Sequence, residues 1–123
     1  MLATVIFLNM LWGAWGNPEL PQLLQVFPPA GATSVQVKVI GAELNFTKGE
    51  TADPTSLQLF VDGEDVTSQS TITQTRDWPP SFVSISHIPT QLQAGLHHAE
   101  IRFKSDKNVI FTYRWSFIFQ LNS

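Results

Sequence analysis

Three histidines, His87, His97 and His98, are the residues of this chain best suited to binding a metal ion, because imidazole is the commonest metal ligand in proteins. His97 and His98 are consecutive, and consecutive side chains of a strand point to opposite faces of the sheet. We therefore do not expect both rings to reach one ion. The chain has no cysteine, which excludes a thiolate site, and we predict neither a metal site nor a cofactor.

A cluster of acidic residues offers the oxygen ligands that calcium prefers. Asp62, Glu64 and Asp65 are close together in the sequence, and Asp53 or Asp77 would add a further carboxylate. The cluster lacks the spacing of the twelve-residue calcium loop, and an acidic turn is more often simply solvated. A calcium-binding loop is therefore kept only as the alternative interpretation.

Serine, histidine and aspartate, the components of a hydrolase triad, are all present, but not in a pattern that indicates catalysis. The chain has no nucleophile elbow, phosphate-binding loop or zinc-binding helix motif. Three histidines and several aspartates in 123 residues are expected from composition alone. We predict that the chain is not an enzyme.

Aromatic residues predicted to lie on loops or outward faces are the remaining candidates for ligand contact. Trp78, Phe82 and Phe60 have such positions, and exposed rings can stack on a sugar or anchor a protein partner. The competing interpretation is that Trp78, which is followed by Pro79 and Pro80, packs over one end of the domain as a rigid cap. The three rings are the predicted ligand-stacking residues.

Length and composition restrict the class of protein that carries these residues. A chain of 123 residues is long enough for one domain with a real core and too short for two ordinary ones. Only 14% of its residues are charged, against about 25% in an average soluble domain, and the neutral polar residues suit an extracellular β-protein. Seven scattered Lys and Arg with a net charge of -3 argue against nucleic-acid binding.

The first sixteen residues are apolar and uncharged. They are too short to span a bilayer, which takes about 20 residues, so we expect no stable membrane span. They resemble the hydrophobic part of a secretory signal, with a small-x-small cleavage site at Ala14-Trp15-Gly16. The usual positive start is missing, and a buried N-terminal helix or strand is the alternative. We predict a signal at 1–16 and a secreted, periplasmic or cell-surface location.

The rest of the chain shows the period-2 alternation of strands with one buried face. Pro residues make 17–22 an extended lead-in, so the domain is expected to start at Leu23. The alternation predicts a strand over 35–39 that continues past a bulge at Gly41, and Asp62-Gly63 predicts a tight turn. Further strands are predicted in the ranges 57–61, 70–76, 82–87, 98–104 and 111–119. About seven short strands without a long helix indicate a β-sandwich.

The final strand carries five aromatic residues on one face, with polar residues at the alternate positions. The aromatic positions are Phe111, Tyr113, Trp115, Phe117 and Phe119. Because a sandwich buries one face of each strand against the opposite sheet, we expect this face to be core, with Trp115 at its centre.

Four stretches of the chain resemble motifs of bacterial immunoglobulin-like domains. In order along the chain they are Pro28-Pro29-Ala30-Gly31-Ala32, the "DG-x-DVT" turn within 56–73, the "P-x-x-L-x-x-G-x-H" stretch 89–97, and the "Y-x-W-x-F" stretch 113–117. The resemblance covers nearly all of 23–120. It implies that this range is an all-β domain, an immunoglobulin-like antiparallel β-sandwich of about seven strands.

Domains that look like this serve as spacers, stalks and interaction modules. The resemblance therefore implies a non-catalytic structural or interaction module of a secreted or cell-envelope bacterial protein, with a protein or glycan partner. A carbohydrate-binding module that uses Trp78, Phe82 and Phe60 is the alternative. A pilus subunit whose exposed sheet edge accepts a donor strand is a further one. Fold alone does not decide between them.

Overall fold

A computed structural model of the chain describes residues 23–46, 53–76, 80–105 and 107–121. The predicted signal at 1–16, the lead-in at 17–22 and Trp78 lie outside these ranges. Within them, no helix is long and apolar enough to cross a membrane.

The described residues form two β-sheets that pack face to face. In chain order the strands are β1 (Leu23–Phe27), β2 (Thr33–Ser34), β3 (Ile40–Asn45), β4 (Gln58–Val61), β5 (Glu64–Asp65), β6 (Thr71–Gln74), β7 (Phe82–His87), β8 (Gly95–Lys104) and β9 (Ile110–Phe119). Single 3-10 turns at Pro54–Ser56 and Thr67–Gln69 are the helical elements of the same ranges.

The strand order is β1-β3-β7-β6 in one sheet and β2-β9-β8-β4-β5 in the other. This arrangement is the immunoglobulin-like one, in which a four-stranded sheet faces a sheet built around three central strands. Seven strands have four or more residues, so the predicted fold class is confirmed. One pairing departs from the antiparallel prediction, because β2 runs parallel to β9.

The prediction of a strand over 35–39 is wrong. This segment joins β2 in one sheet to β3 in the other, so it crosses between the sheets and has no partner strand there. Val35 is 59% exposed. The predicted bulge at Gly41 is also wrong, since Gly41 pairs in unbroken register with Phe27 and Ser86.

The core lies between the sheets and is built from the alternate residues of each strand. Leu44 and Leu59 are fully buried, and Trp115 is only 5% exposed. Trp115 pairs with Ala99 across β8 and β9, and its ring stacks on Tyr113 with centroids 5.9 Å apart. The outward positions of β9 carry the exposed Thr112 and Arg114. The predicted burial of the aromatic face is therefore confirmed at Phe111, Trp115 and Phe117, whereas Tyr113 and Phe119 are only half-buried.

Candidate functional site

The turn between β4 and β5 is formed by Asp62 and Gly63, as the sequence predicts. Both residues have positive φ, 52° and 84°, which is the geometry of a two-residue hairpin turn. The N–H of Asp62 donates to the carbonyl of His98 at 2.7 Å. In return the N–H of His98 donates to Asp62 Oδ1 at 2.9 Å. The turn is thereby fixed to the start of β8.

The ring of His97 is buried beneath this turn. Its Nδ1 lies 2.6 Å from Asp62 Oδ2, and its Nε2 lies 2.6 Å from the carbonyl oxygen of Gln93. A carboxylate and a carbonyl both only accept hydrogen bonds, so the doubly protonated imidazolium satisfies both at once. The ring also stacks on Phe117, with centroids 5.6 Å apart.

The ionisation of the two groups is coupled through this contact. Burial favours neutral His97, but its hydrogen bonds to Asp62 and to the carbonyl of Gln93 outweigh that effect and raise the pKa of the ring. Burial likewise disfavours the Asp62 carboxylate, but its hydrogen bonds with His97 and His98 lower the pKa of the carboxyl. Both shifts favour the charged pair.

His98 points the other way, onto the outer face of the five-stranded sheet, and is exposed. The expectation that His97 and His98 face opposite sides of β8 is therefore confirmed. On the outer side His98 borders a shallow concavity of about 440 Å³, which we call the outer depression. Its lining residues are Phe60, Gly63, His98, Ala99, Glu100, Arg102, Arg114, Trp115 and Ser116.

Strand register explains which side chains meet in the outer depression. Phe60 on β4 pairs with Glu100 on β8, and Glu100 pairs in turn with Arg114 on β9. Directly opposed side chains on one face of a sheet are within contact distance. One row of the sheet therefore places an aromatic ring, a carboxylate and a guanidinium side by side.

Glu100 binds two arginines at once. Its Oε1 accepts from Arg114 Nε at 2.8 Å, and its Oε2 accepts from Arg102 Nε. The guanidinium of Arg102 also lies over the ring of Phe60, 4.4 Å from its centroid, which is a cation–π contact. Burial is the largest single influence on Glu100 and opposes its ionisation, but the hydrogen bonds and positive charges of Arg114 and Arg102 together outweigh it and lower the pKa of the carboxyl.

The structure separates the rings that the sequence grouped as a ligand-stacking set. Phe60 lies in the outer depression. Phe82 begins β7 in the other sheet and alternates there with the buried Val83, so it lies on the opposite outer face of the sandwich. Trp78 is outside the described residues. Phe60 and Phe82 therefore do not form one stacking platform.

Sequence reasoning missed Glu100, Arg102 and Arg114. A signal for them was present, because Glu100 and Arg102 alternate with the buried residues of β8 while Arg114 is outward on β9. What the sequence did not provide was the register that places Arg114, fourteen positions away, opposite Glu100.

Three of the carboxylates considered for calcium, Asp53, Asp62 and Asp65, accept hydrogen bonds from neighbouring donors. Asp53 Oδ1 accepts from the N–H and the hydroxyl of Thr55. Asp65 Oδ1 accepts from the N–H of Thr67. Asp62 is hydrogen-bonded to the ring of His97 and the N–H of His98. Asp77 is outside the described ranges. Across the part of the chain that the structure describes, no three His, Cys, Asp or Glu side chains come together as a metal site.

One similar solved structure supports the fold. The chain is similar to CopC from Methylosinus trichosporium OB3b, with 16% sequence identity and a TM-score of 0.55 over 82% of this chain and 97% of that one. It is also similar to PcoC, a copper resistance protein from Escherichia coli, with 21% identity and a TM-score of 0.44 over 84% of this chain and 100% of that one. No family model and no curated protein matches the chain.

His97 and His98 are not placed to bind one metal ion together. Both nitrogens of His97 are hydrogen-bonded to protein acceptors, so neither has a lone pair directed at an ion. His98 is on the opposite face of β8. At 16% identity, the likeness to CopC bears on the fold alone.

Proposed function

We propose that this chain is a non-catalytic, immunoglobulin-like binding module of a secreted or cell-envelope bacterial protein, and that it contacts its partner through the outer depression. The observation that carries the proposal is the row formed by Phe60, Glu100 and Arg114 on an exposed sheet face, with Arg102 beside it. The apolar N-terminal segment and the low content of charged residues support a location outside the cytoplasm.

The state of the titratable groups supports a binding role over catalysis. A general base needs a free lone pair within reach of a substrate. His97 has both ring nitrogens engaged, and Glu100 has each oxygen bound to an arginine. In the described ranges, His97 and Glu100 are thus both engaged by protein partners.

The outer face of the four-stranded sheet has a different character, which supports the choice of surface. Its neighbouring strands β6 and β7 present small hydroxyl side chains there, and Thr73 and Ser84 are hydrogen-bonded to each other at 2.6 Å. Hydroxyl groups that are hydrogen-bonded to one another offer a partner few interactions that it does not already make with water. The five-stranded sheet offers an aromatic ring and two guanidinium groups.

Binding of the purified protein to the cell-envelope fraction of its host tests this proposal. Phe60→Ala should lower the amount retained on the envelope fraction, because it removes the ring that supports Arg102. Phe82→Ala is the matched control, since it truncates an equally half-buried ring on the opposite outer face. Circular dichroism is the check that both variants are folded. No retention of the wild type, or equal loss in both variants, would overturn the proposal.

A further inference from the structure

The two arginines of the outer depression have unused donors on their exposed sides. A guanidinium has five N–H groups in a fixed plane, and Arg102 and Arg114 each use only Nε, on Glu100. Within the described ranges, the hydrogen bonds of these two arginines are made by Nε and none by the Nη groups. The Arg114 side chain is 74% exposed and that of Arg102 is 45% exposed.

Glu100 keeps these two cations together. Its side chain is only 15% exposed, and one carboxylate between two guanidinium groups leaves the cluster with a charge of about +1. The ring of Phe60 fixes the plane of Arg102 from one side. Both guanidinium groups are therefore held on the same carboxylate before any ligand arrives, which lowers the entropic cost of binding an anion.

The remaining lining is suited to a small polar ligand. His98 and Ser116 are paired across β8 and β9 and add hydrogen-bonding groups beside the arginines. A volume of about 440 Å³ lies within the roughly 300–1,000 Å³ that is typical of small-ligand sites. Protein interfaces instead concentrate apolar side chains at their centre and deplete charged ones there. The centre of the outer depression instead consists of three charged side chains and a single aromatic ring.

We propose that the outer depression binds an acidic sugar, with the sugar ring against Phe60 and its anionic group on the Nη atoms of Arg102 and Arg114. This inference rests on the proposed function, because it assigns a ligand class to the same surface. Planar guanidinium forks match carboxylates and other oxyanions bidentately, and aromatic faces pack on the apolar face of a sugar ring.

Calorimetric titration of the full chain tests the inference with three defined probes. Oligogalacturonate is the acidic sugar, the galactose oligomer of equal length is its neutral counterpart, and a poly-glutamate peptide is an acidic protein segment. Oligogalacturonate should bind, its affinity should fall as salt is added because the contact is ionic, and the neutral oligomer should bind at least about tenfold more weakly.

Arg114→Gln should weaken oligogalacturonate binding about tenfold or more, while Arg76→Gln, which removes the charge of an exposed arginine outside the outer depression, should leave it unchanged. Arg114→Lys keeps the positive charge but lacks the planar guanidinium with its two parallel N–H donors, so it should give an intermediate affinity. Because Arg114 is mostly exposed, these variants should fold normally.

The inference would be overturned by equal binding of the neutral oligomer, by an unchanged affinity in Arg114→Gln, or by tighter binding of poly-glutamate than of oligogalacturonate. The last would indicate an acidic protein partner. Envelope binding that depends on Phe60, combined with no oligogalacturonate binding, would refute the acidic sugar and leave the proposed function standing.

Discussion

The carboxylate of Asp62 binds the ring of His97, which lies 35 positions later in the sequence. Oδ2 of the carboxylate is 2.6 Å from Nδ1 of the ring. The other carboxylate oxygen accepts from the N–H of His98, and the far side of the His97 ring donates to Gln93. One ion pair therefore ties the β4–β5 turn, the start of β8 and the segment before β8 together. It lies directly behind His98, at the border of the outer depression.

The stability of the domain should depend on pH through this pair. Asp62 has a lowered pKa, so its contribution is present above the ordinary value of 3.8 and is lost as the pH falls through the folded-state pKa. His97 has a raised pKa, so its contribution is fully present below 6.5 and is lost as the pH rises through the folded-state pKa. The contribution of the pair is therefore largest between these two ordinary values.

Denaturant titrations at about pH 5 and about pH 8 measure the effect. The wild type should have the larger free energy of unfolding at the lower pH, and His97→Gln should reduce the difference. His98→Gln is the matched control, because it changes the adjacent, exposed histidine. A difference that His97→Gln leaves unchanged would contradict the assignment.

Trp115→Ala should destabilise the domain by about 3–5 kcal/mol, the usual cost of truncating a buried tryptophan. The residue is 5% exposed within the core, and no disulfide can contribute because the chain has no cysteine. Ile110→Ala, at a 69% exposed position of the same strand, should cost little. Chemical denaturation of both variants tests this, and a loss within about 1 kcal/mol for Trp115→Ala would contradict the assignment of faces on β9.

Gly41→Ala should be strongly destabilising, although alanine is a small residue. A Cβ at position 41 would meet the carbonyl oxygen of Ile85 at 2.1 Å and Cα of Ser86 at 2.9 Å, so β3 and β7 would have to move apart. Thermal unfolding against the wild type measures the loss. An unchanged melting temperature would mean that the two strands are not as close as their register implies.

The fold should not depend on a metal ion. Asp53, Asp62, Asp65 and His97 already have hydrogen-bond partners within the protein, and the described ranges hold no cluster of metal ligands. Thermal melts with a strong chelator, with added copper(II) and with added calcium should coincide. A change in melting temperature above about 5 °C, which is roughly 1 kcal/mol for a domain of this size, would refute this prediction.

Residues 1–16 should be absent from the mature protein. An apolar segment of this composition would otherwise expose several large side chains to water. The intact mass of protein exported by its native host gives the answer directly. A folded, exported product that retains these residues would show that the segment is not a cleaved signal.

Several features of the fold follow from the sequence alone because they depend on local geometry. Side chains alternate between the faces of any strand, so the buried and exposed faces of β8 and β9, and the opposition of His97 and His98, were predictable without a partner strand. Asp62-Gly63 is similarly local, since the turn needs positive φ at both residues. Composition was enough to exclude a disulfide or thiolate site.

Only the tertiary structure decided which residues meet. The valines at 35–39 have the pattern of a strand but cross between the sheets, where no partner is available for pairing. Phe60 and Phe82 have similar sequence contexts but lie on opposite sheets. The contacts of Glu100 with Arg114 and of Asp62 with His97 depend on strand order and register, which are set by burying the whole core at once. Local preferences fix the face on which a side chain lies, but its neighbours on that face are determined by packing of distant segments.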